Sequence, residues 1–179
     1  QGALPQPDYD NPLSGKLSLT LSSEQNTYYV GETVRLRIEL HNFSPTRVLG
    51  WFRLEPPNEK MTVYFRRGSE PFKRLRNWDR HGYGAQPGVF LDPDAYLTHD
   101  FVVASDPDTQ LPLLDEPGDC EFRLHYRDFD SRNGVLESNT LRLSVIGVRP
   151  DQREALAAYR QGLAFFAEFH PALHNGTPA

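Results

Sequence analysis

The chain predicts an antiparallel β-sandwich of about seven strands with a C-terminal α-helix. Three observations carry that prediction. Val34, Leu36, Ile38 and Leu40 alternate with Arg35, Arg37, Glu39 and His41, the period-two pattern of a strand with one buried face. Cys120, Phe122, Leu124 and Tyr126 alternate in the same way with Glu121, Arg123, His125 and Arg127, and Leu141, Leu143 and Val145 repeat the pattern after a polar turn. Past Pro150 the period changes: Leu156, Tyr159, Leu163 and Phe166 recur at helical spacing, placing them on one face of a helix.

Composition agrees. The chain has 179 residues with 38% hydrophobic residues, 15 Pro and 13 Gly, which suits one all-β domain with many turns and a real core. No apolar run is long enough to span a membrane. No signal peptide is read in the sequence.

Taken in order, residues 1–15 are proline-rich without a period and are expected to form an extended arm. Leu17, Leu19 and Leu21 start the first strand. Tyr28 to Glu32 read as a turn carrying an aromatic pair, and the strand from Val34 ends at Asn42, where Ser44 and Pro45 break the pattern. Residues 48–54 and 61–65 are expected as the third and fourth strands, with Trp51 in the core. A short strand at 72–75 precedes a glycine-rich loop, and 96–103 form another strand that His99 interrupts. Residues 106–119 read as a loop holding Leu111, Leu113 and Leu114. Pro117 and Gly118 turn the chain into the strand of Phe122, and Asn133 and Gly134 supply the positive φ angles of the following hairpin. The helix spans 150–170, with Asp151 and Glu154 at its positive end and Pro171 stopping it. It is expected to pack on or next to a sandwich of residues 16–146, with 171–179 as a tail.

The pattern Pro117, Gly118, Phe122, Leu124, Tyr126 followed by Ser138, Asn139, Thr140, Leu141, Leu143, Val145 resembles bacterial immunoglobulin-like domains exported from the cytoplasm. Val30, Gly31, Glu32, Val34, Leu36, Ile38, Leu40 and Asn42 are similar to their second strand, so the likeness covers residues 17–146. It implies an immunoglobulin-like sandwich in the periplasm or outside the cell and a binding role, and it encodes architecture more than activity. Cys120 departs from the family, which often has its corner tyrosine there. A lesser likeness is to the bacterial proteinase-inhibitor sandwich, with its valine-rich strand ending in Asn and a later aromatic loop.

Chemistry is sparse. No nucleophile elbow, phosphate-binding glycine loop or metalloprotease helix motif occurs, so the chain reads as a non-enzyme without a cofactor. Cys120, alone and on an apolar face, reads as a small core residue. His41 and His125 read as solvent-facing strand histidines, the alternative being a metal pair across one sheet. Asp128, Asp130, Asn133 and Gly134 invite a calcium reading, but Arg132 occupies a ligand position and a polar hairpin accounts for them. Asp92, Asp94, Asp106 and Asp108 flank prolines as turn formers, and only their convergence at one end of the sandwich would make a metal site. No metal is assigned.

Charge is unevenly distributed. Residues 47–80 carry nine Lys and Arg against four Asp and Glu, while the whole chain is at −5, so the remainder stands at −10. Arg66, Arg67, Lys73, Arg74, Arg76 and Arg80, with Trp78 and Tyr83, form the candidate ligand- or partner-binding stretch, because mixed arginines and aromatics suit anionic or stacking partners. The plain alternative is a solvated strand face, with Trp78 plugging the core. The acidic chain argues against nucleic acid. The leading reading is an interaction module contacting another protein or a surface glycan, with no fixed oligomeric state. The alternatives are a carbohydrate-binding module using Trp78 and Tyr83, and a proteinase inhibitor presenting the 67–93 loop.

Overall fold

A computed structural model describes residues 13–50, 60–75, 89–106, 111–127 and 135–169. Two sheets face each other. The first contains β1 (Leu17–Ser23), β3 (Val34–Asn42) and β8 (Tyr96–Val103), ordered β1-β3-β8 and antiparallel throughout. The second contains β2 (Thr27–Tyr29), β11 (Leu141–Ile146), β9 (Gly118–Arg127), β5 (Met61–Arg67) and β6 (Lys73–Leu75), ordered β2-β11-β9-β5-β6. β10 (Val135–Glu137) also pairs with β9, and β4 (Val48–Gly50) pairs with β7 (Val89–Leu91) in a separate ribbon. With β1, β3 and β8 opposite β11, β9 and β5, the strands lie in the A-B-E and G-F-C order of an immunoglobulin-like sandwich. The architecture is the expected one: all-β with a C-terminal helix.

Alternation explains the core. Leu36, Ile38 and Leu40 of β3 meet Phe122, Leu124 and Tyr126 of β9 in one cluster, and all six are fully buried. Each such side chain contributes about 1.5–3 kcal/mol through removal from water. Leu113 and Leu114, from the segment read as a loop, join the same cluster. Cys120 is buried there too. Desolvation pushes its thiol up to about 11, so it stays protonated and unreactive at neutral pH.

Short elements differ from the sequence reading. The segment around Tyr28 holds a three-residue strand, β2, which runs parallel to β11, and β7 is equally short. Three residues carry no readable period. The hairpin partner of β9 is interrupted, because β10 and β11 pair with different halves of β9 and the break falls at Ser138 and Asn139. Ser138 bridges the gap: its N–H donates to Leu124 O at 3.0 Å, and its Oγ accepts from Leu124 N–H at 2.9 Å. Asn139 reaches the other sheet. Its Oδ1 accepts from Leu21 N–H at 2.7 Å and its Nδ2 donates to Leu21 O at 3.0 Å, so a side-chain amide continues, as a peptide group would, the pairing that Ser138 makes with Leu19 on the outer edge of β1.

Asn42 ends β3 for a related reason. It is buried, and its Nδ2 donates to Thr46 O, Leu91 O and Asp92 O at 2.9–3.0 Å while its Oδ1 accepts from Ser44. A buried amide with its valences filled costs little, and here it ties the 43–47 loop to the end of β7.

The helix α1 (Arg153–Phe169) follows a 3-10 turn at Pro150–Gln152. Leu156 packs against the core and lies over Gly31, where a Cβ would meet its Cδ1 at 3.4 Å. Gly31 also has φ +86°, a conformation that glycine adopts at no steric cost. Arg149 pairs with Glu32 at 2.9 Å and Arg160 donates to Asp115 O. The helix start therefore rests on the turn after β2 and on the 111–117 segment. Trp51 and the 128–134 turn lie outside the described residues.

Candidate functional site

Period two decides which cations share a surface. In β5, Arg66 points away from the core with Tyr64 and Thr62, and their partners in β9 are Glu121, Arg123 and His125. Arg74 of β6 stands opposite Tyr64, and Arg142 of β11 opposite Glu121. The outward face of the second sheet thus carries Arg66, Arg74, Arg123, Arg127 and Arg142 against Asp119, Glu121 and Glu137, a surplus of two positive charges on an acidic chain.

The arginines are held in place. Glu121 accepts from Arg66 at 2.6 Å through Oε2 and from Arg142 at 3.0 Å through Oε1. Burial disfavours the ionised carboxylate, but Arg66 and Arg142 outweigh it and hold the group below its ordinary pKa. Phe72, from the β5–β6 turn, lies under two guanidiniums: Arg66 Cζ is 4.5 Å and Arg123 Cζ 4.7 Å from its ring centre. Arg123 Nε donates to Thr140 Oγ1 at 2.6 Å, and Tyr64 contacts the His125 ring at 4.4 Å. Among the described residues, Arg74 and Arg127 have no ion-pair partner.

The eight residues singled out by sequence separate. Arg66 and Arg74 lie on this face. Arg67 and Lys73 have the opposite parity: Arg67 donates to Leu113 O at 2.9 Å and pairs with Asp115 and Glu116, and Lys73 pairs with the buried Asp106. Both cations thus fasten the connection between β8 and β9. Arg76, Trp78, Arg80 and Tyr83 lie outside the described residues. Sequence reasoning left Arg123 and Arg142 out of the site. The signal for them was present, since both occupy polar positions of strands with clear alternation, but only strand register brings them beside Arg66.

The outward face of the first sheet is different. Arg37 makes a two-point contact with Asp100 at 2.7 and 2.8 Å, Arg35 lies 3.6 Å from Glu24, and His41 reaches Asp94 at 3.1 Å while stacking on Tyr96. His41 and His125 are in separate sheets, so these two do not form a pair across one sheet. Of the acidic turn residues, Asp92 pairs with Arg47, Asp94 with His41 and Asp106 with Lys73, and Asp108 lies outside the described residues. Among the described residues no cluster of His, Cys, Asp or Glu could hold a metal ion, and no helix is long and apolar enough to cross a membrane.

No family model matches the chain, and no curated protein matches it. Among solved structures, it is similar to a β-glucosidase from Listeria innocua in complex with gluconolactone, with 17% identity over 74% of this chain and a TM-score of 0.42. This chain spans only 16% of that enzyme's length. It is also similar to a CARDB domain from Pyrococcus furiosus. The solution structure shows 14% identity over 73% of this chain and 94% of that domain, with a TM-score of 0.40. The crystal structure in complex with di-metal ions shows 13% identity over 79% and 99%, again at 0.40.

Proposed function

We propose that the chain is a non-enzymatic immunoglobulin-like interaction module of an exported bacterial protein, working in the periplasm or outside the cell. The observation that carries this reading is the outward face of the second sheet. Three of its arginines, Arg66, Arg123 and Arg142, are oriented by Glu121, Phe72 and Thr140, so a partner would find them already in position. Arginine beside aromatic rings is the composition of energetically dominant interface positions. Residues 16–146 form the binding module in this reading, residues 1–15 an arm and 150–170 a helix seated on its edge. Arg76, Trp78, Arg80 and Tyr83 follow β6 in the chain and belong to the proposed site with Arg66 and Arg74, whereas Arg67 and Lys73 position the neighbouring connection.

Site-specific photo-crosslinking in the native host tests the reading. A photoreactive residue at Thr62 or Arg74, on the second sheet, should give a discrete adduct with a protein or glycan partner, while one at Thr98 on the first sheet should not. Equal labelling from both sheets, or none from Thr62 and Arg74, would defeat it.

A further inference from the structure

We infer that the outward face of the second sheet receives an acidic peptide segment of a protein partner, lying extended across the strands. The inference rests on the interaction-module reading and names the chemistry of the partner. Charge is the first argument. The chain is at −5 overall, yet this face has five arginines to three carboxylates. Its field therefore attracts anions to one surface of a molecule that otherwise repels them.

The second argument is geometric. Arg74, Tyr64 and Arg123 stand in register across β6, β5 and β9. The two arginines are thus two strand spacings apart, about 10 Å. A peptide in the extended polyproline II conformation rises about 3.1 Å per residue with three residues per turn, so acidic side chains at positions i and i+3 lie on one face about 9 Å apart and can meet both guanidiniums, with Tyr64 beneath the residues between. Arg74 has no ion-pair partner among the described residues. Arg123 commits Nε to Thr140 and its flat face to Phe72, which leaves its terminal amino groups for a carboxylate. A guanidinium held in this way loses little conformational freedom on binding.

The third argument separates a peptide from a continuous polyanion. Asp119, Glu121 and Glu137 are interspersed among the arginines. They repel a strand of closely and evenly spaced phosphates or sulfates, but they tolerate a segment with two discrete charges and neutral residues between them.

The test uses the full chain and three probes. These are a terminally blocked octapeptide containing Glu-Ala-Ala-Glu, the same peptide with Gln-Ala-Ala-Gln, and a heparin-derived hexasaccharide. Arginine side-chain Nε–H signals are followed by NMR. The Glu peptide should move the Arg74 and Arg123 signals, the Gln peptide should not, and Arg74→Gln or Arg123→Gln should each weaken binding roughly tenfold. Arg35→Gln, on the first sheet, should leave the affinity unchanged. Silence at about 1 mM Glu peptide, a range that captures even weak contacts, would overturn the inference, as would equal movement of Arg35. Tighter binding of the hexasaccharide than of the Glu peptide would overturn it in favour of a glycan. If the peptide fails while photo-crosslinking from Arg74 succeeds, the binding face survives and only its assigned partner chemistry falls.

Discussion

On the first sheet Arg37 faces Asp100, Arg35 faces Glu24 and His41 faces Asp94, each of the three with an acidic partner of its own. On the second, Glu121 alone serves Arg66 and Arg142, Phe72 serves Arg66 and Arg123, and Arg74 has no ion-pair partner among the described residues. Both faces are made by the same alternation on the same fold. One gives each arginine a carboxylate of its own, and the other is an organised surplus of arginine. Exposed pairs of the first kind contribute little stability and leave little field. A shared carboxylate couples its partners, so removing it affects several cations together.

Breaking that sharing should have the largest effect. Glu121→Ala should lower stability by about 1.5 kcal/mol, after allowing for screening around the exposed Arg142, because two guanidiniums lose a charged acceptor and repel each other. Urea denaturation measures it, and an unmoved midpoint would reduce the second face to the status of the first. The same contact should show in acid. Glu121 is held below its ordinary value of 4.5 in the folded chain, so its contribution is complete above that pH and fades as the carboxyl protonates at lower pH. The stability gap between the wild type and Glu121→Gln should therefore close as the pH is lowered below 4.5. A gap that stays constant there would contradict the assignment. Phe72→Ala should cost about 0.5–1 kcal/mol through the lost cation–π contacts and should broaden the Arg123 Nε–H signal. Smallest is Asp100→Asn on the first sheet. Its shift in urea midpoint should be slight at low salt and vanish at high salt, where exposed charges are screened.

Legibility in the sequence followed element length. β3 and β9 alternate over nine and ten residues, so their faces could be assigned before any coordinates. β2 and β7 have three residues each, too few for a period, and are strands because of what they pair with. The candidate site was half legible for a similar reason. A run of cations along the chain is not a patch in a strand, since neighbours such as Arg66 and Arg67 point to opposite sides, one to Glu121 and the other to Asp115. Arg123 and Arg142 join Arg66 only through the register of β5, β9 and β11, which depends on pairing between distant segments.

Asn139 has a consequence for how many copies of this fold can share a small volume. An unoccupied edge strand is an invitation to any other extended chain, and β1 has seven residues. By filling the edge at Leu21 from within, beside the bridge that Ser138 makes with Leu19, Asn139 closes a stretch of β1 through which another strand could add. Asn139→Leu should turn a chain that tolerates crowding into one whose apparent mass in light scattering rises with concentration.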